Sequence, residues 1–169
     1  MKPAAARPGI SRKGDFPRAI PAGPPFPVGA MSIDEKLQKL AEDFAVFPGK
    51  DERNAYLFDL GKRLKVGEPS IRTSGNEIKG CQFKSWLSAC SEDGVIKFTA
   101  DSEALLGKGM MHVCLELLDG ERPEAILKFD PTVILPRLGL DQHMSSTRSN
   151  AFVLVPQQMK QRALEFSTV

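Results

Sequence analysis

The stretch Ile78-Lys79-Gly80-Cys81-Gln82-Phe83-Lys84-Ser85-Trp86 turns a loop into a strand and sets one thiol at the corner. A polar, glycine-containing segment, Thr73-Ser74-Gly75-Asn76-Glu77, leads into it. Gly80 admits backbone conformations closed to other residues, so a tight turn is expected just ahead of Cys81. Beyond it, residues 84–90 and 95–99 read as strands joined by Ser91-Glu92-Asp93-Gly94. Asp-Gly between two such runs is a hairpin signal. A single hairpin among helical patterns predicts an α+β fold, a small antiparallel β-sheet covered by helices on one face.

Outward from the hairpin the patterns are helical. Ser32-Ile33-Asp34-Glu35 spells a capping box, with Ser32 as N-cap and Glu35 reaching back. Ile33, Leu37, Leu40, Phe44 and Phe47 follow at helical spacing until Pro48-Gly49. A second helix, capped by Asp51, carries Ala55, Leu57, Leu60 and Leu64, and the pair is expected to pack as a hairpin. Residues 65–80 read as a long loop, and structureless loops of that length are usually functional or disordered. Downstream, Ser102 is expected to cap a helix through Leu105, Met110, Met111, Val113, Cys114, Leu117 and Leu118. Pro123 and Pro131 open two short helices, and a polar loop over 139–147 leads to a last helix from about Ser149. Pro156 within it predicts a kink or a later start. There is no internal repeat.

Composition narrows the function classes. The chain has 169 residues, 41% hydrophobic and 26% charged, which suits one globular domain with a sizeable core. Residues 1–30 hold Lys2, Arg7, Arg12, Lys13 and Arg18 against Asp15 alone. The other 18 basic and 20 acidic residues nearly cancel, so the domain has no electrostatic footprint for nucleic acid. No apolar run approaches the ~20 residues that span a bilayer. The three cysteines, Cys81, Cys90 and Cys114, cannot all pair, and their spacing is unlike the close pairs of a zinc site. A reduced, cytoplasmic setting is the expectation.

Seven prolines fall within residues 1–30 and block regular helix there. Those residues read as a disordered, basic, proline-rich tail, and residues 31–169 as the domain. A basic targeting segment is the weaker reading, since no amphipathic helix crosses those prolines. A natural start at Met31 is a third.

The cysteine segment resembles that of the SufE/CsdE family, whose pattern runs roughly Ile-x-Gly-Cys-Gln-Ser-x-Val-Trp. Ile78, Gly80, Cys81, Gln82 and Trp86 match; Phe83 and Ser85 replace a small polar and an apolar residue. Asp101-Ser102, Lys108-Gly109 and Pro123-Glu124 also look like family signatures, as do His143, Arg148, Ser149 and Asn150. The resemblance covers most of residues 32–167 and implies the SufE/IscU-like architecture. It implies a sulfur acceptor that stimulates a pyridoxal-phosphate cysteine desulfurase of the SufS or CsdA kind. Cys81 would take sulfur as a persulfide and pass it to a downstream iron–sulfur cluster-assembly scaffold. Arg148, Gln82 and His143 would serve partner binding. The chain itself would be a carrier and activator with no cofactor of its own, because the desulfurase holds the pyridoxal phosphate. No metal ligand set is expected.

The residues themselves leave other readings open. A buried cysteine is usually a small hydrophobe, and Cys90 and Cys114 read as core. Lys79 and Lys84 sit close enough in sequence to favour the Cys81 thiolate, or are plain surface charges. Phe83 and Trp86 are candidates to shelter the thiol, although Trp86 reads first as packing. An IscU-like cluster or metal scaffold needs several convergent ligands. A cysteine hydrolase needs His112 or His143 as a base beside Cys81.

Overall fold

Ser32 opens the first helix with the expected capping box. Its hydroxyl accepts from the Glu35 amide at 3.2 Å, and the Glu35 carboxylate accepts from the Ser32 amide at 2.7 Å. The computed structural model describes residues 31–142 and 144–167; the tail and His143 lie outside them. Helix α1, Ile33–Ala45, turns its apolar stripe of Ile33, Leu37, Leu40 and Phe44 inward. Helix α2, Lys50–Arg63, returns alongside. The Tyr56 ring joins the two, 4.9 Å from both Phe44 and Phe47. Asp51 is not the cap of α2. Gly49 is, its carbonyl accepting from Arg53, and Asp51 sits in the first turn where its charge suits the helix dipole.

Strands β1, Ser85–Glu92, and β2, Val95–Ser102, form a two-stranded antiparallel sheet. Asp93 and Gly94 both take positive φ, the geometry of the tight hairpin turn that Asp-Gly favours. The register pairs Ser85 with Ser102, Leu87 with Ala100 and Ala89 with Phe98. Alternation puts those side chains on one face, where Leu87, Phe98, Ala100 and Ile96 join the core. Trp86, Ser88 and Cys90 fall on the other face. Cys90 is therefore exposed and is not a core residue. It is three positions from the buried Leu87, hence of opposite parity, and burial falls away along β1 towards Glu92.

The segment 65–80 is not structureless. Val66 bridges to Ala100 beside β2, and Glu77 bridges to Trp86 beside β1. Between them a turn of 3₁₀ helix spans Pro69–Ile71. The Arg72 guanidinium lies 4.8 Å over the Trp86 ring and reaches Asp101 at 2.8 Å, fastening this segment to the sheet.

Helix α3, Leu105–Leu118, is the central helix, with eight buried residues that include Met110, Met111 and Cys114. Its cap is Ala104; Ser102 ends β2 and accepts from the Ala104 amide at 3.3 Å. Helices α2 and α3 approach closely because Gly61 faces the Leu105 carbonyl and Gly109 faces the Leu57 carbonyl, each with no room for a Cβ. The short helices α4, Pro123–Lys128, and α5, Ile134–Leu138, lead to α6, Ser146–Ser167. That last helix starts three residues before the expected Ser149. The Ser145 carbonyl takes the Ser149 amide at 2.9 Å, and no proline stands in 144–147 to prevent it. Pro156 causes no late start; α6 runs through it with the ring buried. Against the sheet pack α3 and α6, giving the mixed helix-and-strand architecture expected.

Candidate functional site

Cys81 sits at the tip of a short hairpin of its own. The Ile78 amide donates to the Ser85 carbonyl and the Leu87 amide to the Asn76 carbonyl, both at 2.8 Å. These bonds pinch the chain so that residues 79–84 form the turn. Gly80 makes it possible with φ +88°, a left-handed value that side chains resist.

The thiol lies at the edge of a cleft between this turn, α3 and α6. Cys81, Gln82, Phe83 and Ser85 come from the turn and the start of β1. Leu106, Gly107, Met110 and Met111 come from α3, and Thr147, Arg148, Ala151 and Val155 from α6. The enclosed space, counted out to its open mouth, is about 380 Å³. Its floor is apolar, and its mouth carries the exposed Gln82 and Arg148.

Cys81 is half-buried, and burial alone pushes its thiol up. Neither Lys79 nor Lys84 draws it back: Lys79 pairs with Glu77 at 3.2 Å, and Lys84 is exposed. Burial thus favours the neutral thiol over the thiolate. Cys114 is fully buried beneath; burial pushes its thiol far up, and a charge on Cys81 adds to this. It is a core residue, as expected.

Of the residues read from sequence, Cys81, Gln82 and Arg148 are brought together at one cleft, and Phe83 joins them. Trp86 does not. It lies on the opposite face of β1, buried beneath Arg72. His112 pairs with Glu116 at 3.4 Å along α3 and does not line the cleft. His143 lies outside the described residues. The sequence reading missed Ser85, Leu106, Met110 and Met111 as lining residues. Strand parity marks Ser85, since it shares the inward face of Leu87; the α3 residues give no signal, because a lining methionine and a core methionine have the same helical spacing.

Among the described residues, no three His, Cys, Asp or Glu side chains converge as a metal site would need. No helix among them is long and apolar enough to cross a membrane.

A solution structure of a hypothetical protein from Thermus thermophilus has the same fold. It superposes with a TM-score of 0.66 at 21% identity, over 79% of this chain and 97% of that one. A SufE-like protein of Rhizobium meliloti is 30% identical over 131 residues, 75% of this chain and 94% of the relative. A SufE-like protein of Rhizobium etli is 27% identical over 142 residues, 82% of this chain and 96% of the relative. The family profile described as "SufE: Fe-S metabolism associated domain" matches residues 38–163, from α1 through the cysteine turn and nearly to the end of α6. The chain therefore belongs to the SufE family, the domain associated with iron–sulfur metabolism.

Proposed function

We propose that the protein is a sulfur carrier for iron–sulfur cluster assembly, with Cys81 as the acceptor of persulfide sulfur from a pyridoxal-phosphate cysteine desulfurase. The observation that carries this is the placement of Cys81. It is at a turn tip, half-buried, over an apolar cleft with a polar and cationic mouth.

The chemistry is thiol–disulfide exchange. The Cys81 thiolate attacks the outer sulfur of the donor's persulfide. A bond forms from Cys81 Sγ to that sulfur, the donor's S–S bond breaks, and the donor cysteine leaves as a thiolate. The product, a persulfide on Cys81, is then attacked in the same way by the next acceptor, and no net oxidation occurs. The protein's part is to gate both ends of this exchange. A thiol held neutral by burial is slow to react with oxidants, and an apolar floor of Met110, Met111 and Val155 gives the extra sulfur a dry place. At the mouth, the guanidinium of Arg148 offers a fork to a carboxylate of the desulfurase, and Gln82 adds hydrogen-bonding capacity. The scaffold alternative needs several ligands at one place, which the described residues do not assemble.

The test is mass spectrometry after incubation with a cysteine desulfurase and cysteine. The wild type should gain one or more sulfur atoms, about 32 Da each, which reductant removes. Cys81→Ser should gain none, whereas Cys90→Ala and Cys114→Ala should still load. Sulfur on Cys90 in the Cys81→Ser protein would defeat the assignment.

A further inference from the structure

Two buried hydroxyls stand behind the cysteine turn. Ser85 and Ser102 face each other across the first pair of the hairpin, Oγ to Oγ at 3.0 Å. Only 4% of Ser85 and none of Ser102 meets solvent. The Ala104 amide at the head of α3 donates to Ser102 Oγ at 3.3 Å. Ser85 Oγ is 3.1 Å from the Phe83 carbonyl, and Ser102 Oγ is 3.4 Å from the Lys84 carbonyl. Each hydroxyl has one proton to give, so the chain of bonds has two arrangements. In one, Ser102 donates to Ser85 and Ser85 to Phe83. In the other, Ser85 donates to Ser102 and Ser102 to Lys84. Either way a continuous line runs from the head of α3 to a carbonyl of the cysteine turn. A second tie is direct, from the Glu103 amide to the Lys84 carbonyl at 3.0 Å. Gly107 leaves the space this needs: a Cβ there would collide with Ser102 Oγ.

We propose that Ser85 and Ser102 form a latch, a pair of positioning residues that hold the Cys81 turn closed over its cleft and so set how readily the thiol meets a reaction partner. Residues 82–84 are the limb between the thiol and β1, the part of the turn that any outward movement of Cys81 would have to lift. Its ties in the latch end at the carbonyls of Phe83 and Lys84, two and three residues beyond the thiol. Because both serine side chains are almost fully withdrawn from solvent, water is a poor substitute for a bond between them that opens. The fold survives loss of Ser85, since Ser102 keeps the Lys84 carbonyl as its acceptor and the Ala104 amide as its donor.

The latch deepens the reading of Cys81 as acceptor, but its test uses a small reagent and no desulfurase. The two claims therefore fail separately. Alkylation of Cys81 by iodoacetamide is followed by intact mass in a Cys90→Ala background, which removes the exposed thiol. Ser85→Ala and Ser85→Val should each speed the reaction about fivefold near neutral pH, the factor equivalent to one ordinary hydrogen bond of about 1 kcal/mol. The midpoint of the pH–rate profile should fall as the freed thiol gains water. Val113→Ala, a core truncation in α3 at a residue that does not line the cleft, should lower the melting temperature without changing the rate or the midpoint. Wild-type rate and midpoint in both Ser85 variants would overturn the latch. So would an equal acceleration in Val113→Ala, because general loosening would then explain the effect.

Discussion

Removing the Arg72 side chain tests how the segment ahead of Cys81 is fastened. Arg72 presents Nε and Nη2 to the same Asp101 oxygen at 2.8 Å while its guanidinium covers the Trp86 ring. The Asp101 side chain is 5% exposed, and its other oxygen takes the Ser102 amide at 2.8 Å. Arg72→Ala leaves that carboxylate without its cation. A hydrogen bond to a charged group contributes about 1.5–3 kcal/mol. The Arg72 side chain is 43% exposed, so solvent screening places the loss at the low end. Contact with the ring adds about 0.5–1 kcal/mol. The expected destabilisation is about 2 kcal/mol, or about 4–8 °C in melting temperature for a chain of this size. Urea unfolding should show a lower midpoint with an unchanged slope. In an Asp101→Asn background the same change should cost only about 0.5–1 kcal/mol, the ring contact alone. A single-variant loss below about 0.5 kcal/mol would refute the clamp. An undiminished loss in the Asp101→Asn background would refute the charge argument.

Other outcomes follow from the same geometry. Gly109→Ala should lose about 2–3 kcal/mol by urea unfolding, because the new methyl meets the Leu57 carbonyl, and backbone of a packed helix cannot step aside. Tyr56 has its phenol pushed up to about 12 by burial, with Asp43 and Glu116 adding to it. A folded-state value above the unfolded one means the stabilisation is complete below about pH 10 and is lost as pH rises through about 12. Tyr56→Phe should therefore flatten the alkaline limb of a stability–pH curve, and an unchanged limb would count against the buried phenol. Arg148 is exposed at the cleft mouth, with no ion pair among the described residues. Arg148→Ala should weaken desulfurase binding by about 1–3 kcal/mol in calorimetry while leaving Cys81 alkylation at the wild-type rate. Slower alkylation with intact affinity would make Arg148 a modulator of the thiol instead.

Local chemistry makes much of this protein legible from its residues. The capping box at Ser32 acts within one helical turn, and Asp93-Gly94 meets the demand for two positive φ values by itself, so both are readable in sequence. The Cys81 turn is readable for the same reason: Gly80 supplies the backbone freedom one residue away. What lies beyond reach depends on partners distant in the chain. Residues 65–80 carry no strand pattern, yet they are ordered because Arg72 finds Asp101 and Trp86, and Asn76 finds Leu87. Cys90 reads as core because its residue type favours burial, whereas the register with β2 puts it on the face away from Leu87, at the exposed end of β1. Ser149 reads as the start of α6, but a helix extends until its next carbonyl lacks an amide, and Ser145 supplies one more turn. The cleft belongs wholly to tertiary structure. Met110 and Met111 line it only because α3 passes under the turn, and α3 sits there because Gly61 and Gly109 let α2 come close. A sequence names the side chain that can react; only the packing of distant segments fixes the dielectric around it, and here that packing pushes the Cys81 thiol up and favours its neutral form.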